Sequence, residues 1–403
     1  MISVEEARSR ILASLMPLGS EQIGLASALG RVLAEDLDAR VTQPPAAVSA
    51  MDGYAVRSSD VATVPVRLRI VGAAPAGKAH AGTVGAGEAV RIFTGGPVPD
   101  GSDTIVIQEN TRTEGDHVVV TEPSLAGRHI RVAGLDFRAG QVGLERGRRL
   151  TARDVALAAA MDRPWLRVHR RPRIAILSSG DEIVMPGEPR GPNQIVSSNG
   201  IGLAALVGAS GGDPVDLGVA PDDVQALQSL AAGASAADML VTTGGASVGE
   251  HDLMRQALAA RGMTLDFWKI AMRPGKPLMY GRIGDTPVLG LPGNPVSTFV
   301  CAMIFLQPAL AALEGVRNPV PPMETARLGA DLAANDGRED YMRAHLDHGP
   351  DGLVATAMTP QDSSMLRFLA AAGCLIRRPA GDGPVKAGSP VSIVRFDTGV
   401  LRT

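Results

Sequence analysis

Acid, hydroxyl and glycine recur wherever an apolar run of this sequence ends. Arg173-Ile-Ala-Ile-Leu-Ser178 leads into Ser179-Gly180-Asp181-Glu182, Met239-Leu-Val-Thr-Thr243 into Gly244-Gly245-Ala246-Ser247, and Thr286-Pro-Val-Leu-Gly-Leu291 into Pro292-Gly293-Asn294-Pro295. Glycine pairs let backbone N–H groups approach an anion, and a helix starting behind them adds partial positive charge worth about 0.3–1 kcal/mol. The same loops carry Asp181, Glu182, Asp222 and Asp252, and two bare carboxylates about 4 Å apart repel by roughly 4 kcal/mol at an effective dielectric near 20. Anion donors and acids on one rim call for a cation between them. Oxygen ligands without a cysteine or histidine cluster suit Mg²⁺ better than zinc.

Cations are equally local. Lysine occurs only at 78, 269, 276 and 386, and two of the four fall within Lys269-Ile-Ala-Met-Arg-Pro-Gly-Lys276, a turn fixed by proline and glycine that would bind oxyanions. The alternative is two surface lysines. Gly244 and Gly249 have the opening spacing of a phosphate loop, but Glu250 and His251 stand where lysine and serine or threonine are required, so nucleotide hydrolysis of that kind is excluded. The seven histidines show neither metal-ligand spacing nor a nucleophilic triad. Each acid also has a plainer reading as a helix cap or first-turn charge, and that reading weakens because several loops of one sheet carry them together.

Strands alternating with helical stretches over residues 173–312 argue for a parallel sheet with helices on both faces, with ligands beyond the carboxyl ends of the strands. A chain of 403 residues accommodates two to four domains. The net charge of −3 gives no global pull toward nucleic acid or an anionic membrane. Aromatics at 3% argue against base-stacking surfaces. Cys301 and Cys374 form no disulfide framework, and Met1-Ile-Ser-Val-Glu-Glu lacks the pattern of a signal peptide, so a cytoplasmic setting is expected. The apolar stretch Val296 to Leu313, interrupted by Gln307-Pro308, reads as a core helix rather than a membrane span.

Ser3 and Glu6 form a capping box before an amphipathic helix; a second helix is predicted from Ile23 to Leu33. Thr42-Gln-Pro-Pro45 reads as a linker. Strands are predicted at 65–71, 89–93, 104–108 and 117–121, with Ser49 to Val56 and Thr94 to Asp103 as prominent loops. The alanine-rich helix Val155 to Met161 follows a glycine- and arginine-rich connector that returns to the N-terminal helices, which makes the β module an insertion. After Pro319-Val-Pro-Pro322, five strand candidates between 326 and 396 predict a small β-barrel or sandwich.

Met51-Asp-Gly-Tyr-Ala55, Thr94-Gly-Gly-Pro97, Ser179-Gly-Asp-Glu182, Thr242-Thr-Gly-Gly-Ala-Ser-Val-Gly249, Arg273-Pro-Gly-Lys-Pro277 and Leu291-Pro-Gly-Asn-Pro-Val-Ser297 together resemble the MoeA family of molybdopterin molybdenumtransferases and the related E domain of gephyrin. The resemblance implies a multidomain α/β plus β fold: an elongated, discontinuous helical and mixed dimerisation domain (residues 1–42 and 134–168), an inserted β-rich domain (43–133), a central parallel α/β molybdopterin-binding domain (169–318) and a C-terminal β-barrel (319–403). It implies a homodimer that takes adenylylated molybdopterin and molybdate, inserts molybdenum at the dithiolene and releases AMP with Mg²⁺. It also implies a molybdopterin adenylyltransferase as substrate donor and molybdoenzymes or their chaperones as acceptors. Its functional positions fall on Asp52, Thr94, Asp136, Glu182, Asp222, Asp252, Lys269, Arg273, Pro292, Pro295, Arg343 and Ser363. In that frame Glu182, Asp252 and Asp222 hold or support the metal. Lys269, Arg273 and Lys276 bind oxyanion oxygens. Thr243, Gly244, Gly245 and Ser247 cradle the pterin phosphate beside Pro292-Gly293-Asn294-Pro295, and Asp52 and Thr94 close the cleft from the second subunit. Arg273 stands where lysine is common, and Asp362-Ser363-Ser364 replaces a usual Gly-Ser-Gly. A gephyrin-like binding scaffold and a molybdopterin adenylyltransferase are the competing functions.

Overall fold

Side chains of the central strands divide between two cores. The computed structural model describes residues 1–244 and 253–396. In it, β1 (Arg173–Ser179) sends Ile174 and Ile176 into one apolar cluster and Ala175 and Leu177 into another. The same alternation holds in β3 (Met239–Thr243), β5 (Met279–Ile283) and β6 (Thr286–Leu291), as period-two geometry requires of a strand buried on both faces. With β2 (Asp213–Ala220) and β4 (Met263–Trp268), the order is β2-β1-β3-β6-β5-β4. Helices α1 (Asn199–Ala209) and α4 (Pro295–Leu313) contribute to the first core, and α2 (Val224–Ala231) and α3 (Leu253–Ala260) to the second. Each large aliphatic side chain buried there contributes about 1.5–3 kcal/mol.

The sheet departs from the predicted all-parallel form at one side. Strands β2, β1, β3 and β6 are parallel, whereas β5 runs antiparallel to both β6 and β4. Gly284-Asp285 leaves two residues between β5 and β6, a connection open only to antiparallel neighbours. Helix α4 also runs through Gln307-Pro308 rather than stopping there; a π-helical stretch, Ala302–Leu306, precedes the proline and accommodates it. By length and composition α4 could cross a membrane, but 72% of its apolar window is buried inside the protein, as in a core helix.

The chain forms two compact units. One comprises Met1–Glu35, Arg146–Ala152 and Arg167–Thr403, the other Asp36–Glu145 and Arg153–Leu166. In the first, Ser3 Oγ accepts the Glu6 N–H at 3.1 Å and starts the N-terminal helix Val4–Ala13, whose Val4, Ala7 and Ile11 join the core of the central sheet. The helix predicted from Ile23 to Leu33 does not form. Ser20–Gly24 is a strand, Leu25–Ser27 a single 3₁₀ turn, and Gly30 adopts φ +76°; Val32 and Leu33 bridge Arg149 and Val168, so tertiary pairing overrides local helical pattern. The C-terminal strands Glu324–Leu328, Glu339–Gly349, Gly352–Ala357, Cys374–Arg378 and Pro390–Arg395 close into a five-stranded barrel, because Glu339–Gly349 pairs with both Gly352–Ala357 and Cys374–Arg378.

The second unit holds a six-stranded sheet that includes the predicted strands as Val66–Ala74, Glu88–Ile92, Thr104–Ile107 and His117–Val120. Gly53–Val56, predicted as loop, is a buried strand between Glu88–Ile92 and Thr104–Ile107. A Cβ on Gly53 would lie 2.0 Å from the Val106 carbonyl oxygen, so only glycine lets these strands close. Gly53→Ala is expected to destabilise this unit by about 1–3 kcal/mol through forced separation of the strands. Urea unfolding checks this, and an unchanged midpoint would refute the tight-approach argument.

Candidate active site

The loops at the carboxyl ends of β1, β2, β3 and β6 enclose a cleft of about 760 Å³ whose lining includes Glu182, Asp222, Gly244, Asn199 and Pro292 to Pro295. Asp223, not Asp222, caps α2, its Oδ1 accepting the Ala226 N–H at 2.8 Å. Asp222 is thereby left to face the cleft. Its backbone N–H donates to Asp181 Oδ1 at 2.9 Å, so Asp181 ties the β2 loop to the β1 loop. Burial, with the charges of Asp181 and Glu182 added, holds the Asp222 carboxyl above its ordinary range. Among the described residues no group of three acids, histidines or cysteines is arranged to hold a metal by itself. Glu182 and Asp222 fit an ion that also takes oxygens from a ligand, as Mg²⁺ commonly does.

The opposite wall is held together by its own side chains. The Asn199 amide donates to the Gly293 carbonyl at 2.7 Å and to Thr243 Oγ1 at 3.1 Å. The Thr243 and Thr298 hydroxyls donate to the Pro292 carbonyl at 3.0 and 2.6 Å. Thr243 therefore fixes the wall with its side chain instead of offering it to a ligand. Gly244, at φ +88°, passes so near β1 that a Cβ there would meet the Ser179 carbonyl oxygen at 2.3 Å. Pro295 occupies the first turn of α4, where its missing N–H costs nothing. The first turn of α4 and the residues leading into α1 both line the cleft; in α4 Pro295 carries no N–H, and the Val296 N–H donates to the Ser363 carbonyl at 3.0 Å.

A second hollow of about 370 Å³ adjoins the first and shares Pro277 and Ser297 with it. Arg273, Lys276, Arg343 and Ser363 line it. Arg343 is 1% exposed. Its guanidinium donates to Gln361 Oε1 at 3.3 Å, the Met365 carbonyl at 3.2 Å and the Pro360 carbonyl at 3.3 Å, all neutral acceptors. Burial lowers its pKa, yet an arginine keeps its charge. Lys276 is exposed, and among the described residues no carboxylate pairs with it. Asn294 Nδ2 donates to Ser363 Oγ at 3.0 Å, joining the two hollows through the altered loop. Asp362 there turns back on its own loop, accepting Ser364 N–H and O–H at 2.8 and 2.6 Å.

Of the predicted residues, Arg273 lines the second hollow with its guanidinium held by Asp340, by Asp336 at 3.2 Å and by Asn335 at 3.2 Å. Others lie elsewhere. Lys269, at φ +71°, stacks its ammonium 3.8 Å from the Trp268 ring centroid and lines neither hollow. In the second unit, Asp52 Oδ1 accepts the Thr94 N–H and O–H at 2.7 and 2.8 Å, which holds its pKa below the ordinary range. Asp136 is exposed and joins Gln43 only through its backbone N–H, at 3.0 Å. Gly245, Ser247 and Asp252 lie outside the described residues. Sequence reasoning gave no separate role to Asp181, Asn199 or Gln361; a polar run just before a helix, Ser197-Ser198-Asn199, was the available signal for the second.

Three family descriptions cover nearly the whole chain: the MoeA N-terminal region (domain I and II) matches residues 2–161, a probable molybdopterin binding domain 175–312, and the MoeA C-terminal region (domain IV) 325–396. The chain belongs to the MoeA family. It is 36% identical to the molybdopterin molybdenumtransferase of Nostoc sp., over 98% of this chain and 94% of that protein. It is 37% identical to molybdopterin molybdenumtransferase 2 of Mycobacterium tuberculosis, over 98% and 99%. The crystal structure of the molybdopterin biosynthesis MoeA protein from Pyrococcus horikoshii OT3 superposes with a TM-score of 0.87 at 28% identity, covering 98% of this chain and all of that one.

Because the Asp222 pKa is raised on folding, its contribution to stability is greatest below about pH 3.9 and is lost as pH rises through the folded value. Asp222→Asn is therefore expected to be slightly more stable than the parent at pH 7 and equal to it near pH 3. Thermal unfolding at the two pH values checks this; a variant less stable at pH 7 would place Asp222 in a stabilising pair instead.

Proposed function

We propose that this chain completes the insertion of molybdenum into molybdopterin, taking adenylylated molybdopterin and molybdate and releasing AMP with the help of Mg²⁺. Its family places it in molybdenum cofactor biosynthesis as a transferase. The observation that supports the finer reading is the pair of adjoining hollows, one lined by the acids Glu182 and Asp222 and the start of α4, the other by Lys276 and by Arg343, whose hydrogen bonds go to neutral acceptors. A phosphoanhydride suits the first and a tetrahedral oxyanion the second.

In this reading the backbone N–H groups of the Gly244 and Gly293 loops bind the phosphates. Glu182 and Asp222 would hold Mg²⁺, with Asp252 the third acid assigned to it, and the ion would supply neutralisation of charge on the phosphoanhydride. Lys276 and Arg343 orient molybdate oxygens, and Ser297 and Ser363 offer hydroxyls beside them. Pro277 and Ser297 form the shared wall across which the oxyanion meets the dithiolene. The same reading includes a homodimer in which the Asp52 and Thr94 loops of one copy serve the cleft of the other, and substrate supply by a molybdopterin adenylyltransferase.

Purified full-length protein incubated with adenylylated molybdopterin, Mg²⁺ and molybdate is expected to release AMP only when molybdate is present. Glu182→Ala should cut that release at least about tenfold, the scale of losing a metal ligand or its support. It should also abolish the rise in melting temperature that Mg²⁺ gives the parent. Full activity of the variant would remove the metal assignment, and tight ligand retention without AMP would favour a scaffold. Light scattering should read twice 41.7 kDa; a monomer would exclude the shared cleft.

A further inference from the structure

Arg273 and Asp340 occupy matching places on the two segments that frame the second hollow. Met272–Arg273 pairs in parallel with Glu339–Asp340 at the start of the long barrel strand. Lys276 follows Arg273 by three residues, and Arg343 follows Asp340 by three. The Arg273 side chain crosses this pairing to the Asp340 carboxylate, and Asp336 and Asn335 each accept a further guanidinium N–H at 3.2 Å. Asp340 is 5% exposed, and its Oδ1 has no hydrogen-bond partner among the described residues, so Arg273 is the charge that makes this buried acid tolerable. Asp336 is in turn held by Arg338, at 2.7 Å, with its pKa lowered to about 2.

We propose that Arg273 and Asp340 form a clamp that sets the separation of Lys276 and Arg343, so that this pair determines oxyanion affinity without touching the oxyanion. The inference rests on the reading of the second hollow as the oxyanion site. It reverses the role expected from charge alone: the charge of this guanidinium is already offset by two carboxylates, Asp340 and Asp336, and a planar fork spanning several partners is stiffer than an ammonium. An arginine where lysine is common is thus explained as a change from a point charge to a brace.

The two roles predict opposite signs. Titration calorimetry with molybdate alone, on the full chain, is expected to show weaker binding for Asp340→Asn by about tenfold, the scale of a small misplacement of binding groups. If Arg273 were itself a ligand, releasing it from Asp340 would tighten binding, and that result overturns the proposal. Arg273→Lys, which keeps the charge and the fold at less risk, should also weaken binding; unchanged or tighter binding in that variant overturns the proposal even if Asp340→Asn fails to fold. In the AMP-release assay both variants should raise KM for molybdate and leave KM for adenylylated molybdopterin unmoved, a split that general loosening would not give. Absence of molybdate binding in the parent protein would remove the oxyanion reading and the clamp with it, an outcome separate from a parent that binds and variants that bind more tightly.

Discussion

Burial of both faces of the central strands is the constraint on which the rest depends. Once Ile174 and Ile176 point one way and Ala175 and Leu177 the other, helices must cover each face, and polar or charged groups find room only where the strands end. The loops there are brought within hydrogen-bonding reach by the sheet itself, since β1, β3 and β6 are immediate neighbours. Thr243, Asn199 and Thr298 then lock them through the carbonyls of Pro292 and Gly293. The chemistry-bearing rim is rigid because its own side-chain bonds are made before any ligand arrives.

Charge is sorted along that rim. Acids gather at the ends of β1 and β2, glycines and the start of α4 at β3 and β6, and the cations Lys276 and Arg343 at the junction with the barrel. Each group alone is unfavourable or weak: Asp222 resists ionisation, and Arg343 is buried against neutral carbonyls. Functional sites commonly carry such locally unfavourable arrangements.

Much of this was legible from residue order. Strand-like runs ending in Ser179-Gly-Asp-Glu182, Thr243-Gly244 and Pro292-Gly-Asn-Pro295 located the cleft, because ligand loops follow strands in sheets of this class. The barrel strands were legible for a similar reason, each being a short apolar run bounded by turn residues. What escaped was decided by distant partners. Gly53–Val56 is a strand because Ile105 and Val90 flank it, not because of its own composition. Residues 23–33 have a helical pattern but are claimed by Arg149 and Val168. The charge of Arg273 is visible in the sequence, while the carboxylates that pair with it lie more than sixty positions further on.

Ring closure of the C-terminal strands has a consequence beyond placing Arg343. A sheet that joins its first strand to its last leaves no outer row of unpaired amides and carbonyls for a stray chain to zip onto. The barrel can therefore sit beside an open, charged cleft on a chain rich in apolar side chains without offering a template for self-association along its strands.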